Sequence, residues 1–282
     1  MNKDKNIHTF IGCDKSFADS RVVLFGAPFD GTTSYRPGAR FASAAVRNES
    51  DALELYSPYL DRDLSDTAVF DGGDLPLCFG NPEKTLSDIE DYVTGVYAHG
   101  KTPFMLGGEH LVTLGAVRAA VKQFPDLHII HFDAHADLRD DYLGESLSHA
   151  TVMRRCWDLT GDGKIFQFGI RSGDQSEFLW GKDHVCTRRF DFDTLHDCIR
   201  RLQDKPVYLT IDLDVLDPAC FPGTGTPEAG GVTFAQLWDA VHSVLSLHIV
   251  GVDITELSPP LDLSGASTAL ACKVTREILL QL

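Results

Sequence analysis

Two short segments of this 282-residue chain carry side chains able to do chemistry. One reads H-I-I-H-F-D-A-H-A-D, from His128 to Asp137; the other reads V-Y-L-T-I-D-L-D-V-L-D-P, from Val207 to Pro218. In each, an apolar run breaks into alternating acids. Side chains at i and i+2 of a strand share a face. Asp133 and His135 therefore start on one side, as do Asp212 and Asp214. Carboxylates clustered at the end of a buried strand are costly unless a cation offsets them. A divalent metal ion would do so, and two such strands side by side would supply ligands for two ions.

His110 can join from a third strand end, just after Gly107 and Gly108, where the missing side chains permit a sharp turn. With Asp137, the candidate metal ligands are His110, Asp133, His135, Asp137, Asp212 and Asp214. Carboxylates with a few imidazoles suit Mn²⁺, and also Fe²⁺ or Co²⁺, better than ions that prefer thiolates. So many ligands suit two ions sharing carboxylates, an arrangement that activates water as a nucleophile. The competing reading of D-V-L-D-P is a plain turn, since Asp favours turns and Pro fixes φ; Asp217 is assigned to that turn. Glu109 is read as stabilising the turn around it. His131 is read as a packed group beside the site rather than a ligand.

The elements that must position these residues follow from the apolar pattern. Strands are expected at 21–26, 103–106, 127–133, 164–169, 206–212 and 249–253, with weaker ones at 67–70 and 184–188. Helices are expected at 43–55, 82–98, 111–123, 150–159, 192–202, 234–245 and 266–281. Thr233 and Gln236 form a capping-box pattern for the helix at 234. Alternating strands and helices imply βαβ units and a mostly parallel sheet. Several strands are apolar throughout, which fits burial on both faces. The expected fold is a three-layer αβα domain with about eight central strands. It spans 1–282 as a single domain, with 1–20 as an N-terminal extension. G-A-P-F-D, G-G-E-H, D-A-H-A-D, D-L-D and D-I-T-E each follow a strand. In a parallel sheet they gather on the carboxyl edge, where open α/β proteins build their sites.

The net charge of −16 argues against nucleic acid or an anionic membrane as the main partner. Seven scattered cysteines, with no C-x-x-C, form neither a disulfide framework nor a thiolate zinc site. No secretory signal or membrane-length apolar run is visible, and the expected compartment is the cytoplasm.

The sequence resembles the ureohydrolase family of arginases and agmatinases. The resemblance rests on G-G-E-H (107–110), D-A-H-A-D (133–137), S-H-A-T (148–151), D-L-D-V-L-D-P (212–218), G-T-G-T-P-E-A-G-G (223–231) and D-I-T-E-L-S-P (253–259). The stretch G-A-P-F-D-G-T-T-S-Y-R-P-G-A-R-F (26–41) is most like the agmatinase branch. The resemblance implies a binuclear manganese centre. One Mn²⁺ ion would take His110, Asp133, Asp137 and Asp212; the other would take Asp133, His135, Asp212 and Asp214. Glu256 would bind the guanidinium and His149 would shuttle protons. Asp137 would relay a proton to the departing nitrogen. A homo-oligomer, trimer or hexamer, is also implied. By themselves, Glu256 reads as a capping or ion-paired acid and His149 as the start of a helix.

Where arginases carry an Asn-containing loop after D-x-H-x-D, this chain reads L-R-D-D-Y-L-G-E-S-L-S-H (138–149), with Arg139 in place of the Asn. Asp140, Asp141, Glu145 and Glu228 would suit an amine better than a carboxylate. The expected substrate is agmatine, yielding putrescine and urea. Guanidinobutyrate, aminopropylagmatine and arginine stay open, as does a metal-binding member without this activity. A single-zinc deacetylase of similar fold is disfavoured by the extra acids Asp137 and Asp214.

Overall fold

The continuous apolar runs form strands, and the amphipathic stretches between them form helices. The structure, a computed structural model, describes residues 8–78 and 80–282. In chain order the elements are β1 (Val22–Gly26), α1 (Ala42–Ser50), β2 (Tyr56–Ser57), β3 (Arg62–Asp63), β4 (Val69–Asp74), α2 (Pro82–Tyr97), β5 (Thr102–Leu106), α3 (Val112–Gln123) and β6 (His128–Phe132). Then follow α4 (Val152–Thr160), β7 (Ile165–Ile170), α5 (Gln175–His184), β8 (Cys186–Arg189), α6 (Leu195–Arg201), β9 (Pro206–Asp212), α7 (Phe234–Val244), β10 (His248–Thr255) and α8 (Ala266–Leu279).

Eight strands make one sheet in the order β4-β1-β5-β10-β9-β6-β7-β8, and every pairing in it is parallel. Side chains of α2, α3 and α4 join one apolar core with one face of the sheet. Those of α1, α6, α7 and α8 join a second core on the opposite face. The expected αβα layering and eight-stranded sheet are therefore present.

Three local expectations need correction. The helix expected at 43–55 stops at Ser50. Leu53 and Leu55 instead pack on the core through a turn, and Leu64 N–H bonds to the Leu55 carbonyl at 3.1 Å to start the return of the chain. The β2–β3 hairpin follows in that turn and was not expected. Helix α5 was also unexpected, because its apolar residues lack a helical period. Its signal was the capping box of Asp174 and Glu177. The capping box expected at Thr233 and Gln236 is formed.

Of the expected extension at 1–20, residues 1–7 lie outside the described residues. From residue 8 onward the chain packs on the outer strand β4. Phe10, Cys13 and Phe17 are buried, and Phe10 N–H bonds to Asp71 Oδ2 at 2.8 Å. Among the described residues, no helix is long and apolar enough to cross a membrane.

The strand registers fix the site. Phe132 of β6 pairs with Ile211 of β9, so Asp133 and Asp212 leave the sheet side by side. Thr255 of β10 pairs with Asp212, and Ile254 pairs with Leu106 of β5. Glu256 and the turn at Gly107–His110 thus emerge next to them. Gly108 is required there, because a Cβ would sit 1.8 Å from the Phe29 carbonyl oxygen.

Candidate metal centre and active site

All six candidate metal ligands converge beyond the ends of the central strands β5, β9 and β6. His110 Nδ1 lies 3.1 Å from Asp133 Oδ2, 3.2 Å from Asp137 Oδ2 and 3.4 Å from Asp212 Oδ2. His135 Nδ1 lies 3.0 Å from Asp214 Oδ2 and 3.5 Å from Asp133 Oδ1. Asp133 sits between the two imidazoles, while Asp212 faces His110. Their carboxylates are anchored locally: His135 N–H donates to Asp133 Oδ1 at 2.6 Å, and Asp214 N–H donates to Asp212 Oδ1 at 2.9 Å.

The surroundings of His110 decide what this cluster can hold. Thr210 Oγ1 donates to Asp253 Oδ1 at 2.6 Å, so it accepts from His110 Nε2 at 2.9 Å. The ring proton is thereby assigned to Nε2, and the Nδ1 lone pair faces three carboxylate oxygens. Nδ1 is buried and makes no hydrogen bond. Lone pair against carboxylates is repulsive unless positive charge occupies their common focus. A second ring proton or a metal ion would supply that charge. Burial alone would lower the His110 and His135 imidazoles, but the carboxylates outweigh it and raise both well above the ordinary value. Burial, then Asp214 and Asp133, holds Asp212 well above the usual carboxylate range. Burial, with the Asp133 charge behind it, pushes Asp137 up to about 7. Burial would raise Asp133 too, yet the surrounding imidazoles override it and hold that carboxyl well below its ordinary value. A cluster in which two carboxyls and two imidazoles draw protons this strongly fits divalent cations.

His131 is also close, with Nε2 2.7 Å from Asp133 Oδ2. The Gln167 amide, fixed by the Ala136 carbonyl at 2.7 Å and Thr187 Oγ1 at 2.8 Å, donates to His131 Nδ1 at 3.1 Å. Both ring nitrogens are therefore in use. His131 orients Asp133 and has no lone pair left for an ion, although it lies near enough to Asp133 and His110 to form a ligand-like group with them. Asp253 accepts from Tyr208 at 2.8 Å and from Thr210, and so supports His110 from below. Sequence reasoning passed over Thr210 and Gln167. Their only signal was polarity inside apolar strands.

A cavity of about 300 Å³ opens over the cluster. Its floor carries Asp137, His135, Asp212, Asp214 and Glu256, while Arg139, Tyr142, His149 and Asp174 stand among its walls. Glu256 Oε1 accepts the His110 N–H at 2.8 Å. Burial, then the neighbouring Glu109, holds the Glu256 carboxyl well above its usual range. His149 begins a short 3₁₀ turn leading into α4. Burial is the main force holding its imidazole down at about 4, with nearby cationic groups adding and the bond to Thr32 opposing.

The acids expected to meet the substrate's far end lie elsewhere. Asp140 pairs with Arg155 at 2.8 Å, and Asp141 accepts the Gly144 N–H at 3.1 Å. Glu145 exchanges backbone bonds with Tyr142, and the Glu228 carbonyl accepts from Arg171 at 2.7 Å. None of the four lines the cavity among the described residues. The 138–148 loop reaches the cavity through Arg139 and Tyr142 instead. Arg139 is held by Asp174 at 2.9 Å and by Glu177 at 3.5 Å.

Comparison with known proteins agrees with this geometry. The profile of the Arginase family matches residues 20–281. An agmatinase of Bacillus anthracis is 48% identical over 276 residues, covering 96% of this chain and 95% of that protein. An agmatinase of Bacillus subtilis (strain 168) is 46% identical over 275 residues, with the same coverage of 96% and 95%. The crystal structure of the agmatine ureohydrolase of Thermoplasma volcanium superposes with a TM-score of 0.89 at 34% identity, covering 98% of this chain and 94% of that one. The chain belongs to the arginase family and is an enzyme, a ureohydrolase of the agmatinase-like kind.

Proposed function

We propose that the protein hydrolyses agmatine to putrescine and urea with two Mn²⁺ ions bound. The observation that carries the metal centre is the buried, unbonded His110 Nδ1 facing three carboxylate oxygens. His110, Asp133, Asp137 and Asp212 would hold one ion, and Asp133, His135, Asp212 and Asp214 the other. When bound, such ions supply the positive charge that lets water ionise at neutral pH. Glu256 binds the guanidinium through charge-assisted hydrogen bonds and orients its central carbon over the cluster floor. Asp137 passes a proton to the departing amine nitrogen. His149, whose ring lines the cavity, exchanges protons with solvent.

The walls favour a substrate charged positively at both ends. Arg139 is the one Arg or Lys among the lining residues, against six acids: Asp137, Asp174, Glu177, Asp212, Asp214 and Glu256. Its guanidinium is already shared by Asp174 and Glu177. With Asp137, Asp212 and Asp214 given to the ions and Glu256 to the guanidinium, Asp174 and Glu177 against Arg139 leave a net negative wall, which suits a primary amine better than a carboxylate and favours agmatine over arginine and guanidinobutyrate. We further take the chain as one ureohydrolase domain acting in the cytoplasm as a trimer or hexamer.

The test is urea release from agmatine, aminopropylagmatine, guanidinobutyrate and arginine, with bound metal counted per chain. Agmatine should give the highest kcat/KM, with two ions per chain. Faster turnover of a carboxylate-bearing substrate would overturn the substrate assignment. Bound metal without urea from any compound would overturn the activity.

A further inference from the structure

We propose that Thr32, anchored by the buried Glu109, is a positioning residue that holds His149 in one tautomer with Nε2 free for proton exchange. Its consequence for turnover rests on the reading of the cavity as a ureohydrolase site. Glu109 is fully buried, absent from the cavity lining, and unused by the chemistry above. Both of its oxygens go to one residue. Thr32 N–H donates to Oε1 at 2.7 Å, and the Thr32 hydroxyl donates to Oε2.

With its proton given to Glu109, Thr32 Oγ1 has lone pairs to offer, and it accepts the His149 N–H at 3.1 Å. The Thr32 carbonyl lies 2.9 Å from His149 Nδ1. A carbonyl only accepts, so Nδ1 carries the ring proton. Nε2 then presents a lone pair, with Ser34 Oγ at 3.3 Å as a donor beside the cavity. Tyr142 closes the ring edge-on at a centroid distance of 5.7 Å. Thr32 thus grips His149 at both its backbone and its ring. A histidine left free to choose its tautomer would present the wrong nitrogen to the cavity part of the time.

The pieces come from three different strand ends: the loop after β1, the turn after β5 and the turn before α4. Glu109 fixes Thr32 by taking both its N–H and its hydroxyl proton, which sets the Oγ1 lone pairs toward the His149 N–H.

Thr32→Val keeps the side-chain shape but removes the hydroxyl, and with it the bond to Glu109 Oε2 and the acceptor for the His149 N–H, two of the contacts that hold the Thr32 carbonyl against Nδ1. In the metal-loaded enzyme it should lower kcat for agmatine about tenfold, with KM and metal per chain within twofold of wild type. Thr32→Ser should restore turnover. In a His149→Asn background the same Thr32→Val change should cost less than twofold, because the residue acts through the ring that is gone. Histidine ¹⁵N spectra of the full chain, loaded with diamagnetic Mg²⁺, give a readout independent of urea. Wild type should show His149 as a single Nδ1–H tautomer, and Thr32→Val should show a mixture. An unchanged tautomer in Thr32→Val, or an equal kcat loss in the His149→Asn background, would overturn the proposal. A wild-type turnover in His149→Asn would overturn it as well. Failure of wild type to release urea would sink the proposed function, while the spectra would still decide the positioning role.

Discussion

Glu256→Gln separates substrate binding from metal binding at a single atom. Glu256 Oε1 is committed to the His110 N–H at 2.8 Å, which leaves Oε2 for a ligand in the cavity. The glutamine amide must keep its carbonyl toward that N–H, since two donors face to face would leave both unpaired. Its NH₂ then turns to the cavity, where a guanidinium also brings only donors. The loss is one charge-assisted hydrogen bond, about 1.5–3 kcal/mol, plus an unpaired buried donor at about 1–3 kcal/mol. At about 1.4 kcal/mol per tenfold, a total of roughly 2.5–6 kcal/mol lowers kcat/KM by between about sixtyfold and about ten-thousandfold. The φ of 65° at this position is carried equally by either side chain. Glu256 is outside the six candidate ligands, so metal per chain should not change. The assay is steady-state urea release from agmatine on protein of measured metal content. A loss under tenfold, or a loss of metal, would refute this account of Glu256.

Asp133→Ala or Asp212→Ala should strip metal and abolish turnover together, since each is proposed as a ligand to both ions; elemental analysis showing full metal occupancy would contradict that assignment. His149→Ala should slow turnover about a hundredfold, within the usual range for a lost proton-transfer group, at constant metal content; an unaltered rate would remove it from the mechanism. His149 also sets a pH dependence of stability. Its imidazole sits at about 4 in the fold, against an ordinary value of 6.5. Below 6.5 the unfolded chain takes up a proton that the native chain refuses, so this stability is present above 6.5 and is lost as pH falls toward 4. Between pH 7 and 5 the loss is about 2 kcal/mol, and His149→Asn should lack it in urea-denaturation curves measured at the two pH values.

The sheet was legible because its strands are short, apolar throughout and bounded by polar motifs. All eight appear near their expected positions, and the parallel order followed from the helices between them. Of the six metal-ligand candidates, Asp133 with His135 and Asp212 with Asp214 were legible together, since their i and i+2 spacing survives the exit from each strand; His110 comes alone from the turn after β5 and Asp137 from a residue at positive φ. Helix α5 was missed because its pattern of Phe178, Leu179 and Trp180 puts three large apolar groups in a row, and Leu179 stays exposed. The far end of the cavity was misjudged through composition. Asp140, Asp141 and Glu145 are adjacent to the right segment, yet Asp140 turns to Arg155, Asp141 to the Gly144 N–H, and Glu145 is exposed. Asp174, four residues beyond β7, carried no such cue. Likewise nothing local marks Thr32 as a partner of Glu109 and His149, which are 77 and 117 residues away in the chain.

The division of labour between strand ends and turns has a physical basis. Asp133 and Asp212 leave paired parallel strands directly, so ladder hydrogen bonds set their spacing and little strain is needed. Asp137 and Glu256, the two acids given to proton transfer and substrate, both have positive φ, at 53° and 65°. For a residue with a Cβ that conformation costs about 1–2 kcal/mol and needs compensation nearby. It is present in both cases. The Asp137 carbonyl accepts the N–H groups of Met153 at 3.0 Å and Arg154 at 3.2 Å, which belong to the first turn of α4. The Glu256 N–H bonds to the Gly108 carbonyl at 2.9 Å while its side chain returns to His110. The first turn of α4 therefore fixes Asp137, and the 3₁₀ turn that leads into it carries His149. Two residues assigned to moving protons are held by one helix start, so a change that loosens α4 at Met153 should disturb both while leaving Asp133 and Asp212 in place.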